Sequence, residues 1–160
     1  MRVEELMQTR VFTCAPTDHL RHAGEILGRI GAGVLPVVDH GALVGIVTDR
    51  DMFLATATRD ARPSEITLEE IMTREVETCR ADEQVLHAMA RMERCGLRRL
   101  PVVDDEGRVV GILSLDDVAA SARATGDPEY QGTFYSNIAR TLQASVRARA
   151  DRNAGWRRAG

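Results

Sequence analysis

LPVVDHGALVGIVTDRD, Leu35 to Asp51, occurs twice in this chain: Leu100 to Asp117 reads LPVVDDEGRVVGILSLDD, one residue longer at its centre. Each copy reads as strand, turn, strand and the start of a helix. The Leu-Pro-Val-Val-Asp run is short and apolar, and its proline suits the entry of a strand rather than the middle of a ladder. His40-Gly41 and Glu106-Gly107 are turn signals. Val44-Gly45-Ile46-Val47 and Val110-Gly111-Ile112-Leu113 supply second strands, ended by Thr48 and Ser114, with Asp51 and Asp117 three residues further on.

The duplication extends upstream. At a shift of 65, Val3-Glu4-Glu5-Leu6-Met7 falls on Leu68-Glu69-Glu70-Ile71-Met72, and Cys14, His22, Arg29 and Gly31 fall on Cys79, His87, Arg94 and Gly96. Such self-similarity marks an internal structural repeat. Each unit opens with a short helix-like segment and a short strand, Arg10 to Cys14 or Glu75 to Cys79. A helix follows, with apolar stripes Leu20, Ala23, Leu27, Ile30 and Val85, Ala88, Met92, Cys95. Asp18, Asp82 and Glu83 stand near the helix starts, and Gly31 and Gly96 are natural stops. With a second helix after the strand pair, Arg50 to about Thr58 and Asp116 to about Ala124, each unit is β-α-β-β-α. The expected organisation is an α/β fold: repeat 1 over residues 1–60, repeat 2 over 66–125, and an extension over 126–160. Gly126-Asp127-Pro128 ends the second repeat. In the extension Ile138, Leu142 and Val146, four apart, predict one amphipathic helix after Ser136, followed by a basic, frayed end rich in arginine (Arg140, Arg147, Arg149, Arg152, Arg157, Arg158).

Composition narrows the function classes. At 160 residues, 44% hydrophobic and 28% charged, the chain has the profile of a soluble globular domain. A net charge of -3 gives no general attraction to nucleic acid or anionic membrane, and one Trp, two Tyr and three Phe leave little for base stacking. No stretch approaches a membrane span, and the start lacks a signal core. Three cysteines fit a reducing cytoplasm. No lysine occurs, so no Walker lysine does, and neither a nucleophile elbow nor H-E-x-x-H is present; a catalytic set is not expected. Cysteine with His22 or His87 lacks a close ligand pair such as C-x-x-C, so no metal site is expected.

Thr48-x-x-Asp51 and Ser114-x-x-Asp117 are the residues with chemical promise. Ser/Thr-x-x-Asp before a helix resembles a capping box, in which hydroxyl and carboxylate satisfy backbone N–H groups. The same pattern at the end of both strand pairs also suits a ligand, because a helix N-terminus favours phosphate and a carboxylate accepts both ribose hydroxyls. The doubled signatures LPVVD, GIVTDRD and GILSLDD resemble a tandem pair of CBS domains, a Bateman module, over about residues 1–125. The resemblance implies two βαββα units packed with pseudo-twofold symmetry around two clefts. It further implies adenosine-containing ligands (AMP, ADP or ATP, with S-adenosylmethionine or NAD also in the class), no required cofactor, and pairing into homodimers.

Carried over by position, the first cleft holds Ile46, Thr48, Arg50 and Asp51 facing Arg80, Val85, Leu97, Arg98, Arg99 and Pro101. The second holds Ile112, Ser114, Asp116 and Asp117 facing Ala15, Leu20, Ala32, Gly33 and Pro36. The resemblance gives ribose to the aspartates, adenine to the apolar residues and phosphate to hydroxyls and arginines. Arg50, Arg80, Arg98 and Arg99 suit bidentate phosphate contacts, whereas the second set has Asp116 for Arg50 and Gly33-Val34 for Arg98-Arg99. The first cleft is therefore expected to bind a phosphorylated adenosine and the second to bind it weakly or not at all. The plainer reading of these arginines is solvated surface or ion pairs to Asp104 and Asp105. The expected function is a cytoplasmic regulatory module that senses such a ligand and signals to another, unidentified protein. The alternatives are a ligand-free dimerisation scaffold, or a basic tail that meets an acidic partner or nucleic acid.

Overall fold

The computed structural model describes residues 1–124 and 128–157, with side chains up to Ser121 and, in the last helix, over residues 134–151. The expected stop at Gly126-Asp127 and the frayed end lie outside the described residues, as do the side chains of Arg152, Arg157 and Arg158. The first repeat carries α1 (Leu20–Ile30), β1 (Val34–Asp39), β2 (Ala42–Thr48) and α2 (Asp49–Thr58). The second carries β3 (Cys79–Arg80), α3 (Val85–Cys95), β4 (Arg99–Val103), β5 (Val109–Ser114) and α4 (Leu115–Ala124), and α5 (Pro128–Arg157) follows. Short 3-10 helices at Val3–Glu5 and Leu68–Glu70 open the two repeats. The chain is mixed α/β, two βαββα-like repeats with a C-terminal helix.

Packing divides the chain into two compact units that are not the two repeats. One contains Met1–Thr9, Glu77–Val102 and the described residues from Gly111 onward; the other contains Arg10–Val76 and Val103–Val110. The opening segment of each repeat thus serves the core of the other. In the second unit, Ile66, Leu68 and Met72 join Cys14, Leu20, Ala23, Leu27, Leu35, Val37, Val47, Met52 and Ala55 in one buried cluster. Leu68 N donates to Asp18 O (2.9 Å), Leu20 N to Ile66 O (2.9 Å), and Ile46 and Thr73 exchange backbone bonds of 2.9 Å. The other unit repeats the scheme: Val3 N donates to Glu83 O (2.9 Å), Val85 N to Met1 O (3.2 Å), and Gln8 pairs with Ile112. Matched glycines permit this exchange. A Cβ on Gly45 would stand 2.5 Å from Met72 Sδ, and one on Gly111 2.6 Å from Met7 Sδ; the exchanged methionine fills the space where a side chain would project.

The proline sits inside the strand, not at its entry: Pro36 is the third residue of β1 and pairs with Ile46. Its position corrects the expected strand over Arg10 to Cys14, of which only a parallel bridge between Cys14 and Val37 forms. Cys14 N donates to Pro36 O (3.1 Å) and Val38 N to Cys14 O (2.8 Å). One step upstream that ladder would need an N–H from Pro36, which has none. Pro101 stands at the same place, and there too the first strand is only the two residues of β3.

His40 (φ 47) and Gly41 (φ 87) form a two-residue hairpin between Asp39 and Ala42, the positive-φ pair that matches strand twist. Gly31 (φ 64) and Gly96 (φ 65) close α1 and α3 as left-handed caps. The stripes bury as read, with Leu20, Ala23 and Leu27 inside on α1 and Val85, Ala88 and Met92 on α3, while Ile30 and Cys95 are half-buried.

The C-terminal helix differs from expectation in start and in face. It begins at Pro128, and its buried stripe is Phe134, Ile138, Thr141 and Ser145, whereas Leu142 is 38% and Val146 62% exposed. Polar residues tolerate this burial because Thr141 Oγ1 donates to Asn137 O (2.9 Å) and Ser145 Oγ to Leu142 O (2.8 Å). The helix packs on α3 and α4. A Cβ on Gly96 would overlap that of Ala148, so the cap glycine is also a close-approach point.

Candidate functional site

Each box sits where an apolar strand hands over to a helix. In the first, the Asp51 Oδ2 atom accepts from Thr48 N (2.9 Å) and Thr48 Oγ1 (2.7 Å), and Asp51 N donates back to Thr48 Oγ1 (3.2 Å). In the second, Asp117 Oδ2 accepts from Ser114 N (2.9 Å) and from Ser114 Oγ, and Asp117 N donates to Ser114 Oγ (3.1 Å). Capping is thus satisfied in full. The same set recurs at Thr67 and Glu70, where Glu70 Oε2 accepts from Thr67 N (2.7 Å) and Oγ1 (2.9 Å). Those bonds hold the Glu70 carboxyl below its ordinary pKa, helped by the Arg59 guanidinium. Box geometry alone therefore carries no ligand argument; placement does.

The box aspartates differ in their remaining oxygen. Gln8 Nε2 donates to Asp117 Oδ1 (2.9 Å). Thr73 holds the position of Gln8 in the other copy, and among the described residues it makes no such bond to Asp51. The loop before each Leu-Pro lies on the first residue of its own repeat's second helix: Asp49 N donates to Gly33 O (3.2 Å), and Leu115 N to Arg98 O (2.9 Å). Here the arginines find a partner that sequence did not indicate. Arg98 Nη2 lies 3.5 Å from Asp116 Oδ1 and Arg99 Nη2 3.4 Å from Asp116 Oδ2. Asp104 is taken instead by Arg108 (2.7 Å), which holds the Asp104 carboxyl low against the opposing effect of desolvation. Arg98 Nε is buried with no hydrogen-bond partner among the described residues.

The expected site residues fall in both units. Ala15, Leu20, Ala32, Gly33, Pro36, Ile46, Thr48, Arg50 and Asp51 belong to one; Arg80, Val85, Leu97, Arg98, Arg99, Pro101, Ile112, Ser114 and Asp117 belong to the other. Leu20, Pro36, Val85, Pro101 and Ser114 are buried; the rest are half-buried. Sequence reading missed the part of Gln8, whose only signal was its alignment with Thr73. It also missed Cys14, Asp18 and His22 as a group, because their spacing matches no short ligand motif.

The family model described as CBS domain matches residues 3–57 and 68–123. The chain belongs to the CBS-domain family. It is 32% identical over 136 residues to the CBS domain-containing protein YhcV of Bacillus subtilis, covering 85% of this chain and 94% of that one. Among solved structures it is similar to the CBS domain pair of protein MJ0100 in complex with 5′-methylthioadenosine and S-adenosyl-L-methionine. The TM-score is 0.70 at 35% identity, covering 78% of this chain and 97% of that one. It is also similar to CBSX2 in complex with AMP, with TM-score 0.68, 26% identity and coverage of 79% and 98%. No helix among the described residues is long and apolar enough to cross a membrane.

Proposed function

We propose that this chain is a regulatory module that binds an adenosine-containing ligand and passes the binding event to another protein. The observation that carries the reading is the paired Ser/Thr-x-x-Asp box in a chain whose structural relatives were solved with AMP and with S-adenosylmethionine and methylthioadenosine. In one unit Asp51 holds a ribose, half-buried Ile46 flanks adenine and Arg50 meets phosphate; in the other, Leu97 flanks adenine and Arg80, Arg98 and Arg99 meet phosphate. The ion pairs of Arg98 and Arg99 to Asp116 do not preclude this. Pairs this exposed contribute about 0–1 kcal/mol, so a phosphate displaces the carboxylate at little cost. The Asp51 box is the stronger of the two, because Gln8 already engages Asp117. The ligand shifts the balance of module conformations, which a partner then senses. Three free cysteines suit a reducing cytoplasm, and the module is not an enzyme.

A thermal-shift and calorimetric screen across AMP, ADP, ATP, S-adenosylmethionine, methylthioadenosine and NAD tests the reading, since a ligand of the folded state raises the melting temperature with its concentration. Asp51→Ala is expected to weaken binding about 10- to 100-fold, the weight of a hydrogen bond to a charged group, and Asp117→Ala to weaken it less. Equal losses would remove the asymmetry, and no shift with any compound would remove the sensor. The second reading is a ligand-free scaffold that works by homodimerisation. It is favoured by the exposed apolar residues Tyr135, Leu142 and Val146 on α5, which recur at seven and four residues and so share one helix face.

A further inference from the structure

Cys14, Asp18 and His22 offer a thiol, a carboxylate and an imidazole whose ligating atoms all lie within 4.8 Å of one another. Three local devices bring them together. Cys14 is pinned to β1 by its bonds to Pro36 and Val38 and is buried. Asp18 closes the turn that follows: its N donates to Ala15 O (3.1 Å) and its Oδ2 accepts from Ala15 N (2.7 Å). His22 projects from the first turn of α1 and is exposed. The three side chains thus run from a buried thiol through a half-buried carboxylate to an exposed imidazole.

We propose that Cys14, Asp18 and His22 form a binding site for a divalent metal of borderline softness, zinc above all. Sulfur, nitrogen and oxygen donors suit such an ion, and three protein ligands leave a fourth position for water or an incoming group. Tetrahedral zinc places its ligand atoms roughly 3.3–3.6 Å apart, so contraction from the observed spread asks only for side-chain adjustment, chiefly of exposed His22. Binding transfers the Cys14 thiol proton to solvent, because the thiolate is the ligand.

The second repeat supplies an independent argument. Cys79, Glu83 and His87 stand in the same spacing, yet there the acid is already balanced by a cation. Arg91 Nη2 lies 3.2 Å from Glu83 Oε1, Nη1 lies 3.2 Å from Glu83 Oε2, and Nη1 also donates to Thr78 O. Ile26 holds the place of Arg91 in the first repeat, and Asp18 has no cationic partner among the described residues. The positive charge that Arg91 brings to one copy is brought to the other by the metal.

Titration of chelator-treated full-length protein with Co2+, read by thiolate-to-cobalt absorption, and with Zn2+ by competition calorimetry tests the site. One Co2+ per chain is expected, displaced by Zn2+. His22→Ala is expected to lose more than about 100-fold in Zn2+ affinity, beyond the roughly 10- to 100-fold that removal of an outer-shell partner costs, with the metal-free melting temperature unchanged. Arg91→Ile is expected to raise the stoichiometry toward two. Absence of the thiolate band in the parent protein, or undiminished Zn2+ affinity in His22→Ala, would overturn the proposal. An unaltered stoichiometry in Arg91→Ile would overturn the charge-replacement argument.

Discussion

The two copies of one pattern share a skeleton and differ in what surrounds it. Both cap their second helix with the same box, stop their first helix at a left-handed glycine, and lodge a methionine from the opposite repeat against a strand glycine. Around α3 that skeleton is enclosed, since Arg91 ties the acid below it and α5 lies over Gly96. Around α1 it is open: Arg10, Phe12, Ile26, Arg29 and Ile30 line a recess of about 490 Å³, and Phe12 is 39% exposed. Duplication provides two equal scaffolds, and a few substitutions together with one added helix make them unequal. Where the copies match, structure is being maintained; where they differ, separate roles become possible.

The comparison can be broken first at the core. Leu35 and Leu100 occupy matched positions and are each 0% exposed. Leu35→Ala and Leu100→Ala are each expected to cost about 2–5 kcal/mol, with urea midpoints falling by similar amounts. A large loss at one and almost none at the other would show that the copies do not share a packing scheme.

The glycine caps sharpen the contrast. Gly31→Ala and Gly96→Ala both force an L side chain into the left-handed region, at about 1–2 kcal/mol each. At Gly31 nothing lies within 4 Å of the added carbon, whereas at Gly96 it meets Ala148 and sits 3.4 Å from Ala144 O. Gly96→Ala is therefore expected to cost a further ~1–3 kcal/mol from overpacking, and deletion of residues 128–160 should abolish that excess. Equal costs in the full chain would show that α5 does not rest on α3.

The smallest effect is silent at neutral pH. Burial, aided by the Glu83 charge and opposed by Arg91, pushes the Cys79 thiol up to about 12. Its folded pKa thus exceeds the unfolded value of 9.0. The folded state binds more protons between those values, so this contribution is intact below about pH 9 and is lost as pH rises toward 12. With no lysine to titrate in that window, the alkaline decline in unfolding free energy should be visibly shallower in Cys79→Ala. An unchanged slope would place the titration elsewhere.

Much of this was legible in the residues because the relevant physics is local. The box spacing, the cap glycines and the stripes of α1 and α3 depend on neighbours three or four positions away, and repetition let each copy check the other. The face of α5 was not legible. Leu142 and Val146 looked like the buried stripe, but Thr141 and Ser145 bury instead because their hydroxyls bond to the helix's own carbonyls. The partner of Arg98 and Arg99 was missed for a similar reason: Asp116 reaches them only because the start of α4 folds back on the loop before Leu100.

The sequence by itself determined the repeat, its element order, the capping boxes and the CBS family, all of which are written in spacing and residue type. Tertiary structure alone decided that each repeat's opening segment serves the other's core, and that Pro36 shortens the first strand. It also decided which arginine neutralises which acid, and that Cys14, Asp18 and His22 meet. Those outcomes rest on contacts between residues far apart in the chain or held by turn geometry, where free energy depends on distance and direction in space.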